Sequence, residues 1–239
     1  MTTESLLVND TEHPVFVHIE HRKNSRVSLA KKGVIIRLPR YLSKRAQIKQ
    51  ILTFKEWAKE KLEAMPIQSH SKVYENNQII PIGPENYTLR LETRPLRSSK
   101  AKLIDSTFYL FLAESLSLSE QKSSIPTLLS RTLAAKRLND VKFRVHELNK
   151  LHFNQEINRI SLKHTSSRWG SCSSNKNINL STRLFFAPQD VFDYVIIHEL
   201  AHLIEQNHSK SFWKLVRDAM PNYKEKIKWL KEHGGTCRF

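Results

Sequence analysis

The sequence predicts an α+β fold. Two observations carry that prediction. Residues 15–112 alternate apolar and polar side chains in several short runs, the period of half-buried strands. From Pro126 onward, most apolar residues recur at helical spacing, and the runs are long. The expectation is an N-terminal, mostly antiparallel β region with one long helix (residues 1–115). A C-terminal domain follows (residues 116–239), and the serine-rich stretch Ser115–Ser124 joins the two.

Taken in order, residues 1–13 are polar and expected to fray. Val15, Val17 and Ile19 alternate with polar neighbours and predict a strand. Arg26–Lys31 and Val34–Leu38 predict a hairpin around Lys32-Gly33, closed by Pro39. Ser43 is placed to cap a helix whose inner face is Ile48, Ile51, Leu52, Ala58 and Leu62, with Pro66 as its stop. Its outer face carries Lys44, Arg45, Lys49, Lys55, Lys59 and Lys61. Residues 66–85 read as short strands and turns. Tyr87, Leu89 and Leu91 make a strand, Arg94–Lys100 a basic loop, and Ala101–Ile104 with Phe108–Leu112 a hairpin about Asp105-Ser106. No internal repeat is legible.

Pro126 suits the first turn of a helix that continues through Leu129, Leu133, Leu138, Val141, Val145 and Leu148 to about Lys150. Its stripe is expected to pack on the sheet of the C-terminal domain. Ile157–His164 and Asn177–Leu184 predict two strands separated by a turn-rich segment, Ser166–Ser174. Pro188 opens a strongly apolar helix, Ser209 caps another, and Pro221 precedes a last helix to about His233.

The apolar helix carries His198-Glu199-Leu200-Ala201-His202. Residues i and i+4 lie on one helix face, so His198 and His202 can offer two imidazole nitrogens to one ion. Glu199 is turned about 100° away and can reach a water held by that ion without occupying a ligand position. Zn²⁺ takes neutral imidazole at about 2.0–2.1 Å, and a catalytic site needs three protein ligands. His208 is the candidate third ligand, folded back if the helix ends at Asn207 in a left-handed turn. Glu205 is its rival, because 198, 202 and 205 share a stripe while the helix continues. A chance H-E-x-x-H in a chain with 11 His has odds on the order of a few percent, and the apolar setting weighs further against chance.

The neighbouring blocks narrow the reading. Arg168-Trp169-Gly170-Ser171-Cys172-Ser173, Asn177-Ile178-Asn179-Leu180, Tyr194 through His202, Asn207-His208-Ser209 and Phe212-Trp213 resemble the YgjP-like metallopeptidase-domain family, relatives of the SprT-like zincins. The resemblance is strongest over residues 130–234. It implies a zincin-like C-terminal domain, in which one of the strands Ile157–His164 and Asn177–Leu184 is the edge where an extended peptide pairs, and a zinc site of His198, His202 and His208 with Glu199 as base. The chain departs from the family at Ser181, where an asparagine is expected.

Other residues are candidates for substrate contacts or for orienting the ligands. Trp169 is expected to border the pocket, whereas Trp213 belongs to the core. Arg168 could meet a carboxylate or phosphate, or form a salt bridge. His164 could donate to a developing oxyanion. Tyr194 sits one turn before His198. Cys172 is a reduced thiol beside the pocket or a fourth ligand.

The two cysteines build no disulfide framework, no run approaches about 18 apolar residues, and no secretory signal is read, so a cytoplasmic protein without a membrane span is expected. Formal net charge is +16 and is spread: residues 140–239 carry 16 Lys and Arg against 10 Asp and Glu. Such a field favours polyanions, though charge also serves solubility. Three activities follow. The leading one is a zinc peptidase. The second is a metal-dependent pyrophosphohydrolase of nucleoside triphosphates, not of the P-loop type, since no G-x-x-x-x-G-K-[ST] is present. The third is a nucleic-acid-associated protease, with nucleic acid held by the basic surface.

Overall fold

The structure is a computed structural model that describes residues 3–8, 11–30, 33–64 and 73–239. The chain forms two compact units, Met1–Lys72 and Val73–Phe239. The boundary drawn from sequence lay at Ser115–Ser124. That stretch is instead mostly the start of a helix, because Ser117 and Glu120 form a capping box and residues 118 onward are helical.

In the first unit, β1 (Thr3–Val8), β2 (Thr11–Glu20), β3 (Arg26–Ala30) and β4 (Gly33–Pro39) form a sheet in the order β1-β2-β4-β3. β1 pairs antiparallel with β2, so residues 3–8 are a strand and not a frayed end. β2 and β4 are parallel and β3 and β4 antiparallel, which makes the sheet mixed where antiparallel pairing was expected. The hairpin tip at 31–32 and the expected stop at Pro66 lie outside the described residues. Helix α1 (Lys44–Ala64) is capped by Ser43, whose hydroxyl accepts the Ala46 N–H. It packs through Ile51, Phe54, Ala58 and Leu62 on Val15, Val34, Ile36 and Leu38. Ile48 and Leu52, expected inward, are 60% and 56% exposed. The inward stripe runs through 51, 54, 58 and 62, and they lie off it.

The second unit opens with the same plan. β5 (Ile79–Ile82), β6 (Glu85–Arg94), β7 (Lys100–Ile104) and β8 (Thr107–Ala113) are ordered β5-β6-β8-β7 with the same senses of pairing, and helix α2 (Leu118–His152) follows. A shift of 74 residues, Thr11 to Glu85, carries β2, β3, β4 and the start of α1 onto β6, β7, β8 and the start of α2. Small details repeat. Gln47 donates to the Leu42 carbonyl at 2.9 Å and Gln121 to the Leu116 carbonyl at 3.1 Å. Arg40 N–H donates to Glu20 O and Glu114 N–H to Arg94 O, each at 3.0 Å. The chain therefore contains an internal structural repeat that the sequence reading missed. Buried positions need only be apolar, so Val34 and Ile36 match Phe108 and Leu110 without identity.

Helix α2 serves two cores. Ile125, Leu129 and Leu133 pack on the β5–β8 sheet with Leu89, Phe108 and Leu110. Val141, Val145 and Leu148 pack in the core that surrounds the metal-binding motif. Pro126 lies inside this helix, not in its first turn. A third mixed sheet, ordered β10-β11-β9, consists of β9 (Arg159–Lys163), β10 (Gly170–Cys172) and β11 (Asn177–Ser181). A 3-10 turn over Thr182–Phe186 leads to α3 (Gln189–Ala201), α4 (Lys210–Ala219) and α5 (Tyr223–His233). Of the two strands expected as the edge, β11 is central and β9 is one edge of the sheet. The short β10, within the segment read as turns, is the edge that packs against α3.

Candidate metal centre

Helix α3 places the motif. Its buried residues run almost unbroken from Val191 to Ala201, so its backbone is fixed on all sides. The helix ends at Ala201, six residues before the expected Asn207, and Asn207 is not left-handed. Residues 202–204 turn. This early end takes Glu205 off the helical stripe. Its backbone carbonyl accepts from His202 Nδ1 at 3.0 Å, and its carboxylate accepts the Asn207 N–H. Ser209 then caps α4, accepting from Phe212 N–H, and this second helix start holds His208 in place.

Among the described residues, His198, His202 and His208 are the group able to hold a metal ion, with donor atoms all within 4.8 Å of one another. His208 Nε2 lies 3.1 Å from His198 Nε2. Two nitrogens at about 2.0–2.1 Å from one tetrahedral ion stand about 3.3 Å apart, so this spacing fits a shared ion. The His202 Nδ1–H bond to Glu205 O leaves Nε2 as the free lone pair. Tyr194 places its hydroxyl 3.5 Å from His198 Nδ1 and so orients that ring. Burial, reinforced by His202 and His208, pushes His198 down to about 3 and keeps it neutral, as a ligand must be. Phe212, fully buried, stacks on His202, and Trp213 stacks on His208.

Glu199 is 5% exposed, and burial pushes its carboxyl up to about 8. Gly170 on β10 lies against it: a β-carbon there would be 2.5 Å from Oε1. Beside Glu199 opens a recess of about 320 Å³ walled by Trp169, Tyr194, Val195, Ile227 and Leu230, with Lys231 among its lining.

The other candidates divide. Trp169 and Tyr194 line the recess. Cys172, half-buried, is not in the metal group, and burial and then the Glu199 charge push its thiol up to about 11, which holds it protonated. Arg168 and His164 are exposed and line no part of the recess. Arg168 instead offers its carbonyl to the Thr165 hydroxyl. Ser181 caps the 3-10 turn, accepting from Arg183 N–H.

The sequence reading missed Arg183. It donates to the carbonyls of Ser166 at 2.8 Å, Cys237 at 3.0 Å and Gly234, and its guanidinium sits 4.1 Å from the Trp169 ring centroid. It thereby ties the C-terminal residues to the segment that delivers Trp169 and Gly170. No local pattern marks such a residue. Gly170 did carry a signal, since a glycine within a strand indicates a close approach of another group.

The model of the YgjP-like metallopeptidase domain matches residues 23–233. The chain belongs to the YgjP-like metallopeptidase-domain family. The match spans both units, so the first repeat lies largely within the family's domain. No curated protein matches. Solved structures similar to part of this YgjP-like chain include the metallopeptidase zymogen abylysin of Pyrococcus abyssi. It is 22% identical, covers 38% of this chain and 93% of its own, and has a TM-score of 0.36. Another is the metallopeptidase zymogen jannalysin of Methanocaldococcus jannaschii, 25% identical, covering 36% and 92%, with a TM-score of 0.31. Among the described residues no helix is long and apolar enough to cross a membrane.

Proposed function

We propose that this chain is a zinc-dependent peptidase, with His198, His202 and His208 holding the ion and Glu199 acting as general base. The observation that carries this reading is the convergence of three imidazoles beside one buried carboxylate. Zinc in a three-histidine set supplies Lewis acidity toward a carbonyl oxygen and makes water acidic near neutral pH. Glu199 takes the proton from the attacking water and returns it to the leaving amine. Burial raises this carboxyl in the metal-free protein, and a bound cation would favour the carboxylate form that accepts the water's proton. Tyr194 and the Glu205 carbonyl orient two of the imidazoles.

Substrate recognition follows from the edge strand. β10 pairs with β11 on one side only. An extended peptide adds to its free side by main-chain hydrogen bonds, and the recess between Trp169 and Leu230 accepts an apolar side chain of that peptide.

The experiment is metal analysis of the purified protein, followed by digestion of a peptide library read by mass spectrometry, with nucleoside triphosphates assayed in parallel. The wild-type protein cleaves peptides, and Glu199→Gln keeps its zinc and loses cleavage. Undiminished cleavage by the Gln variant removes Glu199 from its role. Pyrophosphate release from nucleotides without peptide cleavage replaces the peptidase reading with the pyrophosphohydrolase one.

A further inference from the structure

The β5–β8 sheet has a face that the metal centre does not use. Helix α2 covers one side, where Phe108 and Leu110 are fully buried against Leu129 and Leu133. Side chains alternate along a strand, so Tyr109 and Phe111 point to the other side, half-buried. β8 is an inner strand. Its register puts Arg90 and Lys102 on either side of Tyr109, and Glu92 and Lys100 on either side of Phe111. The Arg94 guanidinium lies 4.2 Å from the Phe111 centroid, and the Lys102 ammonium lies 5.4 Å from that of Tyr109. Arg97 lies exposed in the loop between β6 and β7.

The charge is mostly uncompensated. Glu92 is the one carboxylate at the outward positions of these strands, and it pairs with Arg94 at 2.8 Å. Arg90 donates to the Asn77 side-chain oxygen, a neutral acceptor. Among the described residues no ion pair engages Arg97, Lys100 or Lys102.

Two rings under two cations have a plain structural use: cross-strand pairs of this kind each stabilise a sheet by about 0.2–1 kcal/mol. The internal repeat weighs against that as the whole explanation. The shift of 74 residues places Tyr109 and Phe111 on Ile35 and Arg37, at the same strand positions and in the same register. That first sheet forms without the ring pair, so the architecture does not require it.

We propose that this face binds single-stranded nucleic acid, with bases stacked on Tyr109 and Phe111 in the places where Lys102 and Arg94 lie over the rings, and phosphates held by those two displaced cations with Arg90 and Lys100. Residues two apart on a strand stand about 6.7 Å apart, a step that an extended single strand can follow. A duplex keeps its base faces inside its own stack and cannot offer them to the rings. The proposal does not depend on the peptidase reading, because no metal ligand takes part.

The test measures fluorescence anisotropy of labelled oligothymidylate and oligouridylate with the full chain, over a range of salt, with a duplex of the same length as competitor. The single strands bind, and the duplex competes poorly. The Tyr109→Leu/Phe111→Leu protein keeps apolar bulk but lacks π-faces, and it binds about tenfold or more weakly. The Lys100→Glu/Lys102→Glu protein, altered only at exposed positions, binds more weakly and with a salt slope smaller by about 1.4. Glu199→Gln binds as wild type. Absence of binding at low salt, wild-type affinity in the leucine pair, or an unchanged salt slope in the lysine pair overturns the proposal. Should the leucine pair fail to fold, the lysine pair decides alone.

Discussion

Gly170 and Glu199 are in contact through the space that a side chain at 170 would fill. A β-carbon on Gly170 would be 2.5 Å from Oε1 and 2.7 Å from Cγ of Glu199. The atoms that would have to yield are the far end of Glu199 itself. Gly170→Ala is therefore expected to fold and to hold metal while displacing the carboxylate. A misplacement of about 1 Å costs on the order of a hundredfold in rate, so kcat falls that far while KM and metal content change little. Steady-state kinetics with metal analysis on the same protein checks this. Unaltered kcat would show that Glu199 finds its position without the glycine.

Glu199 also links stability to pH in the metal-free protein. Its folded pKa, raised to about 8 by burial, exceeds the unfolded value of about 4.5. Between these values the folded state binds more protons than the unfolded one, so this group lowers stability as pH rises through the window. Glu199→Gln is expected to match wild type below about pH 4.5 and to be more stable at pH 8, by at most about 5 kcal/mol. A bound cation favours the carboxylate and shrinks the difference. Urea melts of chelator-treated and zinc-loaded proteins at several pH values measure both effects.

His208 comes from outside the helix that carries the other two imidazoles, and it is exposed. Its Nε2 stands 3.1 Å from that of His198. Substitution of His208 leaves α3 intact, since that helix is held by its own buried residues. His208→Ala is expected to keep the circular dichroism and melting temperature of the metal-free wild type. Zinc affinity falls by well over the ten- to hundredfold typical of losing a residue that only orients a ligand. Competition with a chromophoric chelator reads the difference, and wild-type affinity would exclude His208 as a ligand.

Asp193, 7% exposed, receives Arg144 at 3.0 Å on Oδ1 and 2.6 Å on Oδ2. This pair ties α2 to α3 at the level of the motif. Arg144→Met leaves the buried Asp193 carboxylate with the Gln189 amide as its side-chain donor, at a cost of about 1–3 kcal/mol. Arg144→Met/Asp193→Leu recovers part of that loss, because no carboxylate is then left buried, although Gln189 and Glu147 lose their partners. Denaturant melts of the single and double variants form the cycle that tests it.

The motif helix was legible because its chemistry is local. Pro188, the apolar run and the i, i+4 histidines all lie within one element, and the structure keeps that order. Ser43, Ser117 and Ser209 stand at helix starts for the same local reason, although Ser117 was read as part of a connector. The parallel pairs β2–β4 and β6–β8 were not legible. Alternation reports which face of a strand is buried, not which strand lies beside it. β10, three residues long and set among turn residues, gives no periodic signal at all. The repeat escaped for a related reason: its two copies share the positions of apolar residues more than their identities.

By itself, the sequence determined the helix with its two histidines and carboxylate, the apolar faces and most of the helix caps, since each depends on residues a turn or two apart. Only the tertiary structure decided that His208 returns to the pair, that Gly170 abuts Glu199, that Arg183 anchors the Trp169 segment and that Tyr109 and Phe111 share an open basic face. The first three join residues separated by ten to more than fifty positions, and the last depends on the strands that flank Tyr109 and Phe111. Their partners are set by sheet register and helix packing, which no single stretch of chain encodes.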